Sequence, residues 1–68
     1  MEIATAIERA GMVYLYDENG RLLATVPAGS GPDDGLIGFT SHTVSVRRGL
    51  MVYVYDVGGR LTGTVPAR

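Results

Sequence analysis

The one histidine of the chain, His42, is the first candidate for chemistry, because a serine, Ser41, precedes it. Three aspartates could complete a Ser-His-Asp arrangement with these residues, namely Asp33, Asp34 and Asp56. No nucleophile elbow or oxyanion-loop motif accompanies them, and His42 stands at the start of a strand-like segment. We therefore expect a solvated histidine and no catalytic residue, and we do not predict an enzyme.

The segment GSGPDDG (29 to 35) is the second candidate, because it combines glycines with two adjacent carboxylates. Asp33 and Asp34 could supply oxygen ligands to a cation, but the spacing of a calcium-binding loop is missing. The helix and the lysine of a phosphate-binding loop are missing as well. The sequence contains no cysteine, which excludes disulfides, thiolate catalysis and cysteine-bound zinc. We expect loop-capping carboxylates, no metal site and no cofactor.

Arginine and tyrosine are the residues that could bind a nucleic acid. Arg47, Arg48 and Arg60 could contact phosphates, and tyrosines that alternate with valine or leucine could stack on bases. The chain has six arginines, no lysine and seven acids, for a formal net charge of −1. That balance removes the broad attraction on which sequence-independent binding depends. A small nucleic-acid-binding barrel that uses this arginine patch is the alternative function, and no small-molecule ligand is indicated.

Length and composition predict one small domain over residues 1 to 68. Hydrophobic residues make up 46% of the chain, beside ten glycines and three prolines. This is too apolar for a disordered chain and too interrupted for a helical one, so a turn-rich β domain is expected. The apolar runs are short and the N-terminus carries an early acid, so we expect no membrane span and no signal peptide. A cytoplasmic protein is the resulting expectation.

The chain contains an internal repeat. Residues 11 to 29 align with residues 50 to 68 at an offset of 39, with 12 of 19 positions identical. The sequence therefore divides into repeat one (1 to 29), a linker loop (30 to 41) and repeat two (42 to 68). The linker is rich in glycine, serine, proline and aspartate, which is typical of an irregular connection.

Each repeat predicts three short strands, because segments rich in valine, threonine, tyrosine and isoleucine alternate with turn residues. The predicted strands cover residues 3 to 9, 12 to 17, 21 to 27, 42 to 48, 51 to 56 and 60 to 66. Both central hairpins keep an aspartate and, three residues later, a glycine. We predict a type I turn closed by a bulge, rather than a two-residue type I′ loop, with Asp17 opposite Arg21 and Asp56 opposite Arg60.

Strand alternation then places the four tyrosines on the face that is expected to be buried. This face contains Ile7, Met12, Tyr14, Tyr16, Leu22, Ala24 and Val26 in repeat one, and Val46, Met51, Tyr53, Tyr55, Leu61, Gly63 and Val65 in repeat two. With the rings filling the interior, the sequence predicts an all-β, six-stranded small barrel made of two pseudo-twofold-related three-stranded meanders. The alternative is an open sandwich of two sheets that a second chain completes.

The central hairpins resemble a known repeat. The segments VYLYDENGRL (13 to 22) and VYVYDVGGRL (52 to 61) are similar to the YD repeat of the RHS family, whose units read approximately Y-x-Y-D-x-x-G-R-L. The resemblance covers ten residues of each repeat and implies β-hairpins of the kind that build a large shell around a toxin cargo. In general style the chain also resembles short bacterial proteins.

The opposite face of the predicted hairpins indicates a partner. In repeat two this face is largely polar, whereas in repeat one several of its positions are alanine or leucine. A one-sided gain of apolar surface is typical of an interface, and a domain of this size usually needs help from partner subunits. We predict a homo-oligomer interface at Val13, Leu15 and Leu23. The leading function is a small self-associating β binding or scaffold protein.

Overall fold

The computed structural model of the protein describes residues 2 to 29, 31 and 34 to 67. Its strands are β1 (Thr5–Arg9), β2 (Met12–Tyr16), β3 (Leu22–Pro27), β4 (Gly35–Phe39), β5 (Thr43–Arg48), β6 (Met51–Asp56) and β7 (Leu61–Pro66). They form two antiparallel sheets, with order β1-β2-β3 in sheet one and β4-β5-β6-β7 in sheet two. The all-β prediction is confirmed, and each of the six predicted strands is present with its ends displaced by at most two residues.

The turn between β2 and β3 has the predicted geometry. Gly20 N–H donates to the Asp17 carbonyl oxygen at 3.0 Å, and Asp17 N–H donates to the Arg21 carbonyl oxygen at 2.9 Å. Asp17 Oδ1 also accepts the backbone N–H groups of Asn19 and Arg21, both at 2.9 Å. Gly20 has a φ of 81°, a conformation that costs a residue with a Cβ roughly 1–2 kcal/mol. The equivalent hydrogen bonds recur in the turn of repeat two, which explains why both turns contain Asp and Gly.

A β-bulge follows each of these turns. In sheet one Tyr16 pairs with Leu22, as predicted, but the next pair joins Leu15 to Ala24. Leu23 is therefore an extra residue on β3. Because successive side chains on a strand point to opposite faces, one extra residue reverses the face of every residue that follows it. Sheet two has the same shift at the same place in its repeat.

This bulge corrects the predicted faces of the last strand in both repeats. Val26 pairs with Val13, and Val65 pairs with Val52, so neither β3 nor β7 keeps its terminal valine on the tyrosine side. The prediction for this part of the two strands is wrong. Four residues predicted on the tyrosine side lie on the other side: Ala24, Val26, Gly63 and Val65.

The predicted linker loop contains a strand. β4 covers Gly35–Phe39 and pairs with β5, so an irregular connection over residues 30 to 41 is wrong for this segment. Leu36 pairs with Val46 and packs against the core. Two of the five residues of β4 are glycine, which gave the segment the composition of a loop. Pairing with a neighbouring strand, and not local propensity, orders it.

The two sheets adjoin along β1 and β4. Glu8 Oε1 accepts the Leu36 N–H at 3.0 Å, and the Ile3 N–H donates to the Ser41 carbonyl oxygen at 2.8 Å. Over the residues that the structure describes, no ladder joins β3 to β7, and the sheets remain open there. The predicted closed barrel is not found in this part of the chain, which instead forms two open sheets.

The core lies between the two sheets. Its buried hydrophobic residues are Ile3, Val13, Leu15, Val26, Ala28, Val44, Val46 and Tyr55. Burying an aliphatic side chain of this size stabilises the fold by about 1.5–3 kcal/mol. The equivalent hairpins contribute opposite faces to this core. Repeat one buries Val13 and Leu15, whereas repeat two buries Tyr55 and packs Tyr53 against the cluster.

The prediction that all four tyrosines point into the core is therefore wrong for repeat one. Tyr14 pairs with Ile7 on the outer face of sheet one, and Tyr16 lies on the same face; both rings are half-buried. Both faces of this hairpin are apolar, so hydropathy alone did not decide between them. The inner face of repeat one carries more aliphatic carbon than its equivalent, with leucine at position 15 where repeat two has Val54.

Candidate interaction surface

The outer face of sheet one is an apolar surface that no described residue covers. We call it the tyrosine face of sheet one; it contains Ile7, Met12, Tyr14, Tyr16 and Leu22. Ile7 and Leu22 are 47% and 55% exposed, and the other three side chains are half-buried. The residues are neighbours through strand pairing, so they form one patch. Contiguous apolar patches, unlike single exposed apolar residues, mark interaction sites.

The same set of side chains is partly covered in sheet two, where Tyr55 is buried, Met51 and Tyr53 are half-buried and Leu61 is 49% exposed. The tyrosine face of sheet two contains Met51, Tyr53, Tyr55 and Leu61, each 39 residues after its equivalent in repeat one. Arg48 lies across it, with Cζ 4.0 Å from the centre of the Tyr53 ring and Nη2 donating to Tyr55 Oη at 3.1 Å. Arg48 Nε is buried and has no hydrogen-bond partner among the described residues. The cation–π contact stabilises this desolvated guanidinium, typically by up to about 2 kcal/mol.

The tyrosine face of sheet one reproduces this arginine contact. Arg9 Cζ lies 4.8 Å from the centre of the Tyr14 ring, and Arg9 and Tyr14 are the repeat equivalents of Arg48 and Tyr53. The two faces therefore agree in residue types, in strand register and in the placement of the cation. The chain's own core covers part of the face in sheet two, where Tyr55 is buried, whereas its equivalent in sheet one, Tyr16, is half-buried.

The remaining faces are also related by the repeat; the one in sheet one is aliphatic, whereas the one in sheet two places its valines beside Ser45 and Arg47. The valine face of sheet one contains Val13, Leu15 and Val26, which are completely buried. The valine face of sheet two, on its outer side, contains Val52, Val54 and Val65. Val52 and Val54 are half-buried, and Val65 is 50% exposed. Inside the protein, the valine face of sheet one packs against the tyrosine face of sheet two.

The predicted interface residues are placed differently from the prediction. Val13 and Leu15 are 0% exposed, and Leu23 is partly buried against the core cluster. The prediction that they face outward is wrong, because the gain of apolar residues in repeat one serves the chain's own core. In this structure the exposed apolar face is the one on the other side of the same strands.

The structure does not bring the three predicted binding arginines together. Arg47 and Arg48 are adjacent on β5, so their side chains leave opposite faces of sheet two. Arg47 Nε donates to the Gly49 carbonyl oxygen at 3.2 Å, and Arg48 is engaged with the tyrosines. Arg60 lies in the β6–β7 turn, at the opposite end of β6 from the β5–β6 turn. The three arginines therefore share no surface that one phosphate backbone could contact.

The residues that resembled a catalytic or metal-binding set are also dispersed. His42 is exposed in the β4–β5 turn, where its Nδ1 lies 3.0 Å from Ser41 Oγ. Asp56 Oδ1 accepts the backbone N–H groups of Gly58 and Arg60. Asp33 lies outside the described residues. Within the residues described, no group of three or more His, Cys, Asp or Glu side chains could hold a metal ion.

Asp34 organises the loop before β4. Its Oδ1 accepts the Gly49 N–H at 2.9 Å and its Oδ2 accepts the Gly31 N–H at 3.2 Å. These two hydrogen bonds, assisted by Arg47 and Arg48, hold the pKa of the Asp34 carboxyl below its ordinary value of 3.8. Asp34 is therefore a structural carboxylate, as expected for a loop cap, and it ties the loop to the β5–β6 turn.

No family model, curated protein or solved structure matches the chain, so its function is inferred from the geometry of the structure. In the described part of the chain, no helix is long and apolar enough to cross a membrane.

Proposed function

We propose that the protein is a self-associating β scaffold, and that the tyrosine face of sheet one binds another copy of the chain. The observation that carries this proposal is the repeat equivalence of that face with one that packs against the core. Met, Tyr, Tyr and Leu stand at the same four positions in both repeats. In repeat two the tyrosines of this set pack against sheet one, so the same set in repeat one is suited to a sheet of similar shape.

The openness of the fold supports the same proposal. Every residue of β7 is exposed, including Leu61 at 49% and Val65 at 50%. Small single cores are marginal in stability, and association of subunits is one of the common remedies. The two sheets are open, which is the arrangement that a second chain can complete. The likeness of both hairpins to the YD repeat agrees with a structural role, because those repeats build assemblies.

The proposal predicts that Ile7→Arg weakens self-association by at least about tenfold, because an arginine at the centre of an apolar contact has to be desolvated. Leu50→Arg is the matched control: Leu50 is 66% exposed, more than Ile7, but it lies in the β5–β6 turn and outside this face. Sedimentation velocity over a concentration series measures both variants against the wild type. Thermal unfolding of each variant checks that the monomer fold is retained.

Two results would refute the proposal. One is a wild-type chain that stays monomeric up to about 100 µM, because any association would then be weaker than about −5.5 kcal/mol. The other is equal weakening by Ile7→Arg and Leu50→Arg, since the effect would then reflect added charge rather than this surface.

A further inference from the structure

We infer that the copies associate head to tail, with the tyrosine face of sheet one in one copy packed on the valine face of sheet two in the next. This inference rests on the proposed self-association and names the surface that each copy offers. Each sheet has one tyrosine face and one valine face. In the folded chain the internal contact joins a valine face to a tyrosine face, and the two faces left outside are again one of each kind.

The repeat makes the outer pair a copy of the inner pair. The inner contact places Val13, Leu15 and Val26 against the tyrosine face of sheet two. The outer valine face offers the repeat equivalents of these residues, Val52, Val54 and Val65, at the same strand register. A contact between copies would therefore use the packing that the monomer already uses once.

Such a contact is heterologous, because the two surfaces that meet are different. A heterologous contact leaves one free surface at each end of every assembly, so association continues into rings or open stacks instead of stopping at a dimer. We therefore expect the average mass of the wild-type protein to keep rising with concentration beyond that of two chains.

One charge distinguishes the outer contact from the inner one. Glu8 lies exposed on the side of the inner valine face, where it accepts the Leu36 N–H, whereas the equivalent residue on the outer valine face is Arg47. The facing tyrosine surface carries an arginine in both cases, Arg48 inside and Arg9 outside. Two arginines at one interface repel, so the contact between copies should be weaker than the internal one and reversible. Arg47→Glu restores the opposite charge and should tighten association by about threefold or more.

The decisive experiment mixes two variants, each blocked on one face. Ile7→Arg blocks the tyrosine face of sheet one, and Val65→Arg blocks the valine face of sheet two; both residues are about half exposed, at 47% and 50%. Each variant alone should be monomeric. An equimolar mixture should form a dimer of one chain of each kind and no larger species, because each chain keeps the face that the other has lost. Sedimentation velocity with one variant fluorescently labelled reads the stoichiometry.

Other modes of association give different results. If tyrosine faces paired with each other, Val65→Arg would associate like the wild type and the inference would be wrong, while the proposed function would stand. If neither variant were altered in association, as when β3 and β7 join edge to edge, the proposed function would fail with it. If Val65→Arg unfolds, Val54→Lys on the same face replaces it. Weakened association of Arg47→Glu would also contradict this arrangement.

Discussion

Leu15→Ala should destabilise the protein by about 2–5 kcal/mol, which is a large part of the 3–10 kcal/mol that a chain of this length has, at roughly 0.05–0.15 kcal/mol per residue. Leu15 is 0% exposed and lies at the centre of the valine face of sheet one, between Ala6 and Ala24 on the neighbouring strands. Removing its isobutyl group leaves a cavity that small neighbours cannot fill. Urea unfolding at a concentration where the chain is monomeric measures the change.

The repeat supplies the control for this prediction. Val54 occupies the position equivalent to Leu15, in the same strand of the second hairpin, but it lies on the outer face of sheet two. Val54→Ala should cost about 1 kcal/mol or less, because it opens no cavity in the core. Similar losses of stability in the two variants would mean that both hairpins bury the same face, contrary to this structure.

Tyr55→Ala should cost about 3–5 kcal/mol, as truncation of a buried aromatic residue usually does. Tyr55 is 6% exposed, belongs to the core cluster and accepts a hydrogen bond from Arg48 Nη2. Truncation removes the ring and also leaves a largely buried guanidinium without one of its partners. Tyr55→Phe separates the two effects, since it keeps the ring and should cost about 0.5–1.5 kcal/mol for the lost hydrogen bond.

Tyr16 is the matched residue in repeat one. It is half-buried on the open tyrosine face, so Tyr16→Ala should cost the monomer about 1 kcal/mol. The same substitution should weaken association between copies, which Tyr55→Ala affects only through unfolding. Thermal unfolding followed by circular dichroism, with association measured separately, distinguishes the two roles. Equal destabilisation by the two alanine variants would contradict the asymmetry between the repeats.

Local structure in this protein could be predicted from the sequence because it depends on near neighbours. The carboxylate of Asp17 and the left-handed conformation of Gly20 define the turn and the pairing of Tyr16 with Leu22. Asp56 and Gly59 have the same roles in repeat two, so the sequence shows this turn pattern twice. Strands with alternating valine and tyrosine were equally clear. These features need only a few adjacent residues.

Facing and assembly could not be predicted, for two physical reasons. The extra residue Leu23 leaves no mark in composition, yet it moves Val26 to the other face of sheet one. In addition, both faces of the first hairpin are apolar, so the choice between them depends on which sheet they meet. β4 was missed for a related reason, since its pairing with β5 rather than its own residues makes it a strand. The predicted interface residues Val13 and Leu15 therefore lie in the core, and the tyrosines of the same hairpin lie on the outer face.

The central claim is that equivalent hairpins bury opposite faces, and cysteine reactivity tests it most directly. The chain has no cysteine, so single substitutions introduce a unique thiol. Val13→Cys and Val52→Cys change equivalent positions with little change in volume, and Val13 is 0% exposed whereas Val52 is half-buried on an outer face. Alkylation of each folded variant with iodoacetamide, at a concentration that keeps the protein monomeric, gives the two rates.

This account predicts that the thiol at position 52 reacts at least about a hundredfold faster than the thiol at position 13, which must wait for the fold to open. It also predicts the reverse order on the other face, with Tyr16→Cys reacting faster than Tyr55→Cys, because Tyr55 is buried and Tyr16 is half-buried. Equal rates within each pair, or the same order in both pairs, would contradict it.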